Sequence, residues 1–438
     1  MAVGFTPSQP TPGQTSAPIS AKITEVERIL LVIPFVERVR REMERARIHA
    51  WSEIELIRVE TDAGVVGYGE TIQNYTWGRV DLAERVIGKS PFSLMWDDSL
   101  GAGLQMALFD AAGKLAGVPV YQLLGKKVRD WSPISFWDHD MSPEKYAVEV
   151  QEAVKLGYTC MKIKARPWFD VYETIARMSA VTPDDFSIDA DWNDFLLNVS
   201  NAVPVLRKLE EDFPKINIYE GPIRADDVPG NKLLRSQIRT ATAHHFGSVP
   251  GRTAIGEGYC DGFVIGGGVG RVMGDGLASA MANMPFFLQM VGTGLTTTLA
   301  LHLGAVLTHA QWPAITCHEL YTHPLITQRP DVIGGYARVP EAPGLGVEID
   351  EAAVAKYRVA QADLTLPRRL IKYSRANGVN VYFANNSHNT SQMWGYFALG
   401  NQPLFERGVS TELVDDDGSP GFAELHAQAE VAPVLMRA

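Results

Sequence analysis

Residues 160–166 read CMKIKAR, an apolar run into which Lys162 and Lys164 are set two positions apart. In an extended chain residues i and i+2 face the same way. The two ammonium groups therefore share a face, and each disfavours the other's protonated form. Taken alone, the pattern describes a solvated edge strand. The surrounding sequence points elsewhere. From Trp131 the chain repeats short apolar runs: SPISFW, TCMKIKA, FSIDAD, INIYEGP, TATAHHFG, CDGFVIGGG, MPFFLQMVG and WPAITCHEL. Helical stretches such as PEKYAVEVQEAVKLG and VSNAVPVLRKLEEDF separate most of them. Eight such runs, roughly 20–30 residues apart, have the period of a (β/α)8 barrel. A doubly wound sheet alternates in the same way, but no glycine-rich phosphate loop follows the first run.

Polar residues gather at the C-terminal ends of these runs: Lys162, Lys164, Asp189, Asp191 and Glu220, then His245, Asp261, Gln289 and Glu319. In a barrel those ends share one rim, where active sites are built. Asp189 and Glu220 end successive runs, so both carboxylates can converge on a divalent cation, and oxygen ligands favour Mg2+. A metal that binds a substrate carboxylate stabilises the enediolate left when the α-proton departs. A lysine takes that proton only when neutral, and a second lysine beside it lowers its pKa.

Composition sets the frame. The chain has 438 residues, enough for two domains or one large barrel with an appendage. A net charge of -11 without a basic stripe argues against a nucleic-acid partner. Cys160, Cys260 and Cys317 form no disulfide framework, and a cytoplasmic location is expected. No apolar run has the length of a membrane span, so no membrane partner is expected. Residues 1–21 lack the basic start and apolar stretch of a secretory signal and read as a disordered leader or arm. Residues 22–130 alternate, turn at TDAG (Thr61–Gly64), and then run helically through GLQMALFDAAGKLAG, describing an α+β unit. Residues 131–369 hold the barrel runs. Residues 370–438, aromatic and rich in asparagine, form an extension that either completes the first unit and closes the pocket or makes a subunit contact.

The order Lys162-Ile163-Lys164, SIDADWN, IYEGP and DGFVIGGG resembles the mandelate racemase/muconate lactonizing enzyme branch of the enolase superfamily. ALFDAAGKLAGVPVYQLLG and PGLGVEIDEAAVAKY agree with it, so the resemblance covers roughly residues 22–360. It implies an α/β fold, a modified TIM barrel of the form (β/α)7β with an N-terminal α+β capping domain, and an essential Mg2+. It also implies a small carboxylate substrate and a homo-oligomer. On this resemblance Lys164 is the catalytic base and Lys162 tunes it. Asp189 and Glu220 are the first two metal ligands, Asp261 orients a catalytic histidine, and Glu319 hydrogen-bonds or protonates the enediolate.

The departures narrow the chemistry. The third ligand, normally acidic, falls on His245, with His244 and Glu257 as other candidates. Gln289 stands where the catalytic histidine is expected, and Val264 near the place of a sixth-strand lysine. Glutamine cannot act as a general base. With one clear base, β-elimination of water or cycloisomerisation fits better than racemisation, and His318 or Glu319 is the candidate acid. The expectation is a Mg2+-dependent lyase, a dehydratase acting on a hydroxy or sugar acid. An isomerase of the same superfamily and a catalytically silent ligand-binding barrel are the alternatives. His302, inside a helical apolar run, reads as structural. Arg38, Arg40, Arg41, Tyr75 and Trp77 are cap candidates for meeting the acid.

Overall fold

The computed structural model describes residues 20–45, 48–73, 83–385 and 392–437. Tyr75 and Trp77 lie outside them. The chain begins with an antiparallel sheet of β1 (Ile23–Val32), β2 (Glu53–Thr61) and β3 (Val66–Ile72). The β2–β3 turn is TDAG, closed by Gly64 N–H donating to the Thr61 carbonyl, with Gly64 at φ +73°. One face of this sheet packs on the helix Ala102–Ala116, which ends at Gly117 in the left-handed conformation. The approach is very close: a Cβ on Gly69 would fall 2.1 Å from the Gly103 carbonyl oxygen.

The eight apolar runs become the eight barrel strands: β4 (Trp131–Trp137), β5 (Cys160–Lys164), β6 (Ser187–Asp191), β7 (Ile216–Glu220), β8 (Ala241–His245), β9 (Gly262–Ile265), β10 (Phe286–Leu288) and β11 (Ala314–Ile315). Successive strands pair in parallel from β4 to β10, and β11 pairs in parallel with β4. A parallel bridge between Gln289 and Ile315 closes the ring. One helix follows each of the first seven strands, from Pro143–Lys155 to Gly294–Val306, so the barrel is (β/α)7β. Side chains such as Asp170 and Asn198 cap these helices by accepting from backbone N–H groups in the first turn. A short hairpin, β12 (Val332–Ile333) and β13 (Tyr336–Arg338), pairs antiparallel with the start of β4.

Glu70 of β3 fastens the cap to the barrel. Its buried carboxylate accepts from the backbone N–H groups of Thr293 and Thr296, each at 2.8 Å, at the N-terminus of the helix Gly294–Val306. The partial positive charge at a helix start suits this placement. His302, deep in the same helix, bridges the Tyr121 N–H and the Leu345 carbonyl, a structural role as read.

The C-terminal segment forms a four-stranded antiparallel sheet in the order β16-β14-β15-β17: β14 (Arg369–Ser374), β15 (Val379–Asn385), β16 (Ser410–Asp415) and β17 (Val434–Arg437). This layer lies against both other units. Asn385 donates to the Arg45 carbonyl, and Arg369 pairs with Glu44. The helix Gln392–Ala398 packs Trp394 and Phe397 onto Trp168 after β5.

Gly69→Ala is expected to lower stability by about 1–3 kcal/mol, because the added methyl must push the cap sheet from its helix. Urea unfolding checks this.

Candidate active site

Parity along the strands sets the site. On β5, Cys160, Lys162 and Lys164 face inward, and Arg166 continues the series just beyond the strand. In register, Lys162 lies beside Asp189, Lys164 beside Asp191, and Asp191 beside Glu220. The rim layer is therefore Lys164, Asp191 and Glu220, with Lys162 and Asp189 one step deeper.

Lys162 is fully buried, yet its ammonium reaches upward. It pairs with Glu220, lies 3.4 Å from Asp191 Oδ2, and donates to Gln289 Oε1 at 2.8 Å. Lys164 donates to Asp191 Oδ2 and lies 3.4 Å from Asn193 Oδ1. Burial pushes the Lys164 pKa below that of an ordinary lysine, and Lys162 and Arg166 add to this against the pull of Asp191 and Glu220. Burial alone would raise Asp191, but Lys164, Lys162 and Arg166 hold its carboxyl far below the usual range.

A cavity of about 320 Å3 opens at Lys164. Arg166 and Gln289 line it from the barrel, Arg45 and Trp51 from the cap, and Trp394 from the C-terminal layer. His139, just beyond β4, also lines it and pairs through Nδ1 with Asp140. Burial lowers the His139 pKa despite that partner. Asp140 in turn holds Arg45 at 2.8 Å. A second cavity, beside Asn193, is lined by Asp191, Glu220 and His245.

Several expected site residues fall elsewhere. Asp189 is not at the rim. It sits beneath Asp191, 3.5 Å from the Cys160 Sγ, and burial raises its pKa to about 7. Asp261 precedes β9 instead of ending it. It binds Arg235 and the Thr242 N–H at the opposite end of the barrel, so it orients nothing at the site. His318 and Glu319 form a separate cluster, because β11 is two residues long and the chain turns away at Cys317, φ +64°. There His318 bonds Thr316, and Glu319 pairs with Arg329 at 2.6 Å. Burial raises the Glu319 pKa, but His318 and Arg329 outweigh it and leave it at about 2, which makes a poor proton donor. Neither residue lines the cavity at Lys164.

His245 does face Glu220, at 3.4 Å, whereas His244 turns outward onto Asn231 and Tyr259, and Glu257 pairs with Lys232. Arg38, Arg40 and Arg41 are engaged by Glu149, Glu37 and Asp415, away from the cavity. Asp191 was read at the rim without a role and Arg166 was not read there, yet both had visible signals. Asp191 and Arg166 keep the inward parity of the lysines, and Asp191 lies nearer the strand tip than Asp189. Arg45, His139 and Trp394 had none, since only folding brings them here.

The enolase C-terminal domain-like family matches residues 145–353. The N-succinyl Arg/Lys racemase from Bacillus cereus superposes with a TM-score of 0.65 at 23% identity, over 78% of this chain and 99% of that one. Residues 145–353 belong to the enolase C-terminal domain-like family. In sequence it is 28% identical to the N-succinyl-L-Arg/Lys racemase of Bacillus cereus over 42% of this chain, and the match spans only 55% of that relative's length. It is 25% identical to the arabinonate dehydratase of Saccharolobus solfataricus over 70% of this chain and 91% of that protein. The muconate lactonizing enzyme of Pseudomonas fluorescens superposes with a TM-score of 0.64 at 21% identity, over 78% of this chain and all of that one. The relatives thus include both sugar-acid dehydratases and racemases or epimerases.

Enolase superfamily members generally use Mg2+. The donors present here do not fit that ion. Among the described residues the carboxylates that converge are Asp191 and Glu220, and the Lys162 ammonium already rests against both. The third donor is a half-exposed imidazole, a weaker partner for a hard cation. Among the described residues no three His, Cys, Asp or Glu side chains are grouped to hold a metal. The His245→Asp variant supplies the missing carboxylate. In a thermal melt, about 5 mM Mg2+ is expected to raise its midpoint by about 3 °C or more and to leave the parent unmoved.

Proposed function

We propose that the protein is a lyase that removes the α-proton of a small carboxylic acid, with Lys164 as the base. The observation that carries this is the Lys164 amine at the cavity, 14% exposed, with a depressed pKa and a hydrogen-bonded carboxylate to hold it in place. A lysine so placed is partly neutral at a lower pH than usual and faces a bound acid. The charge that develops as the proton leaves falls among Arg45, Arg166 and Lys164 itself. Gln289 supplies an amide where a second base would be needed for racemisation, which favours elimination. The sugar-acid dehydratases among the relatives support the same class.

Isomerisation is the second reading, and His139 favours it. Its imidazole lines the same cavity, and Asp140 fixes Nδ1, so the ring can take or return a proton. Loss of water from the product separates a lyase from an isomerase.

Lys164→Ala is expected to lower α-proton exchange in D2O, followed by NMR on a panel of hydroxy acids, by about 10²–10⁴-fold. Unchanged exchange sinks the reading. The rate also follows the free amine, so it rises as pH climbs through a Lys164 pKa below 10.5. Lys162→Met removes one repelling charge and moves that limb to higher pH.

A further inference from the structure

Arg166 is the one cavity cation that no carboxylate hydrogen-bonds in the described structure. Arg45 is held by Asp140 and Lys164 by Asp191. Arg166, 2% exposed, donates instead to the Asp191 carbonyl at 3.2 Å and the Asn193 amide oxygen at 2.6 Å, and its Nε has no partner. Its guanidinium is enclosed by aromatic rings, with Trp168 at 5.9 Å, Phe195 at 5.6 Å and Trp394 at 4.8 Å. A buried cation that no carboxylate hydrogen-bonds is costly, and the rings offset this only in part. An incoming acid group would supply what the fold leaves out.

The rest of the lining agrees. With Asp140 set against Arg45 and Asp191 against Lys164, Arg166 leaves one positive charge in excess at the cavity, which favours an anion. Four indoles, from Trp51, Trp137, Trp168 and Trp394, make up much of its wall. Such a wall offers flat apolar surface and few acceptors for hydroxyl groups. Trp394 comes from the helix Gln392–Ala398, outside the residues 145–353 matched to the family.

We propose that Arg166 receives the acid group of the substrate and that the C-terminal layer completes this subsite through Trp394, so that the pocket takes a carboxylic acid with a flat apolar body and not a polyhydroxylated one. The substrate class rests on the reading of the protein as an enzyme of carboxylic acids; the binding itself does not require Lys164 to be the base.

Phenylacetate and gluconate serve as probes, since both carry α-protons and differ in body. Isothermal titration of the full chain is expected to show phenylacetate binding at least about tenfold tighter than gluconate, equally in EDTA and in Mg2+. Arg166→Gln and Trp394→Leu each weaken phenylacetate by at least about tenfold, and Trp394→Phe restores most of the affinity. If Arg166→Gln does not fold, as judged by circular dichroism, the pair of Trp394 variants decides. Gluconate binding as tightly as phenylacetate, Trp394→Leu binding like the parent, a requirement for Mg2+, or no binding of either acid overturns the proposal. Lys164→Ala separates the two readings. Exchange that persists in this variant, with the binding pattern above intact, removes the lysine base and leaves the subsite standing.

Discussion

The ammonium of Lys162 is the constraint on which the rim depends. It is fully buried and ties four strands together, reaching from β5 to Asp191 on β6, Glu220 on β7 and Gln289 after β10. A charge at that depth persists only with opposite charges and hydrogen bonds around it. Those partners are the carboxylates that would otherwise be free for a metal. The same ammonium, close beneath Lys164, disfavours a second positive charge there. One buried lysine therefore both occupies the acidic pair and tunes the base.

The site above this layer is assembled from three units. Glu70 docks the cap on a barrel helix, Arg45 of the cap reaches Asp140 after β4, and Trp394 of the C-terminal layer covers Arg166. None of these units encloses the cavity alone. A change in the C-terminal layer thus acts on the chemistry through packing, without touching Lys164.

Much of the fold was legible in the strands. Strands buried on both faces read as continuous apolar runs, and all eight runs from SPISFW to WPAITCHEL became barrel strands. The TDAG turn and the glycine-capped helix Ala102–Ala116 were equally local, each decided by a glycine with positive φ. The site was legible only in part. Lys162, Lys164, Glu220 and His245 lie where the strand tips place them. Asp189 and Asp191 share parity, and register, which pairs Asp191 with both Lys164 and Glu220, places Asp191 at the rim and Asp189 beneath it. Asp261 was misread because a short run does not reveal which of its ends carries the polar residue. His318 and Glu319 were misread because β11 stops after two residues.

The sequence by itself determined the barrel, the inward lysines and the lack of a second base at Gln289, since each depends on local periodicity and residue chemistry. Only the tertiary structure decided that Lys162 holds the acidic pair, that His139 and Arg45 join the cavity, and that Trp394, more than 220 residues beyond Arg166, lies over its guanidinium. Those contacts join segments far apart in the chain, and their distances follow from packing, which no local pattern encodes.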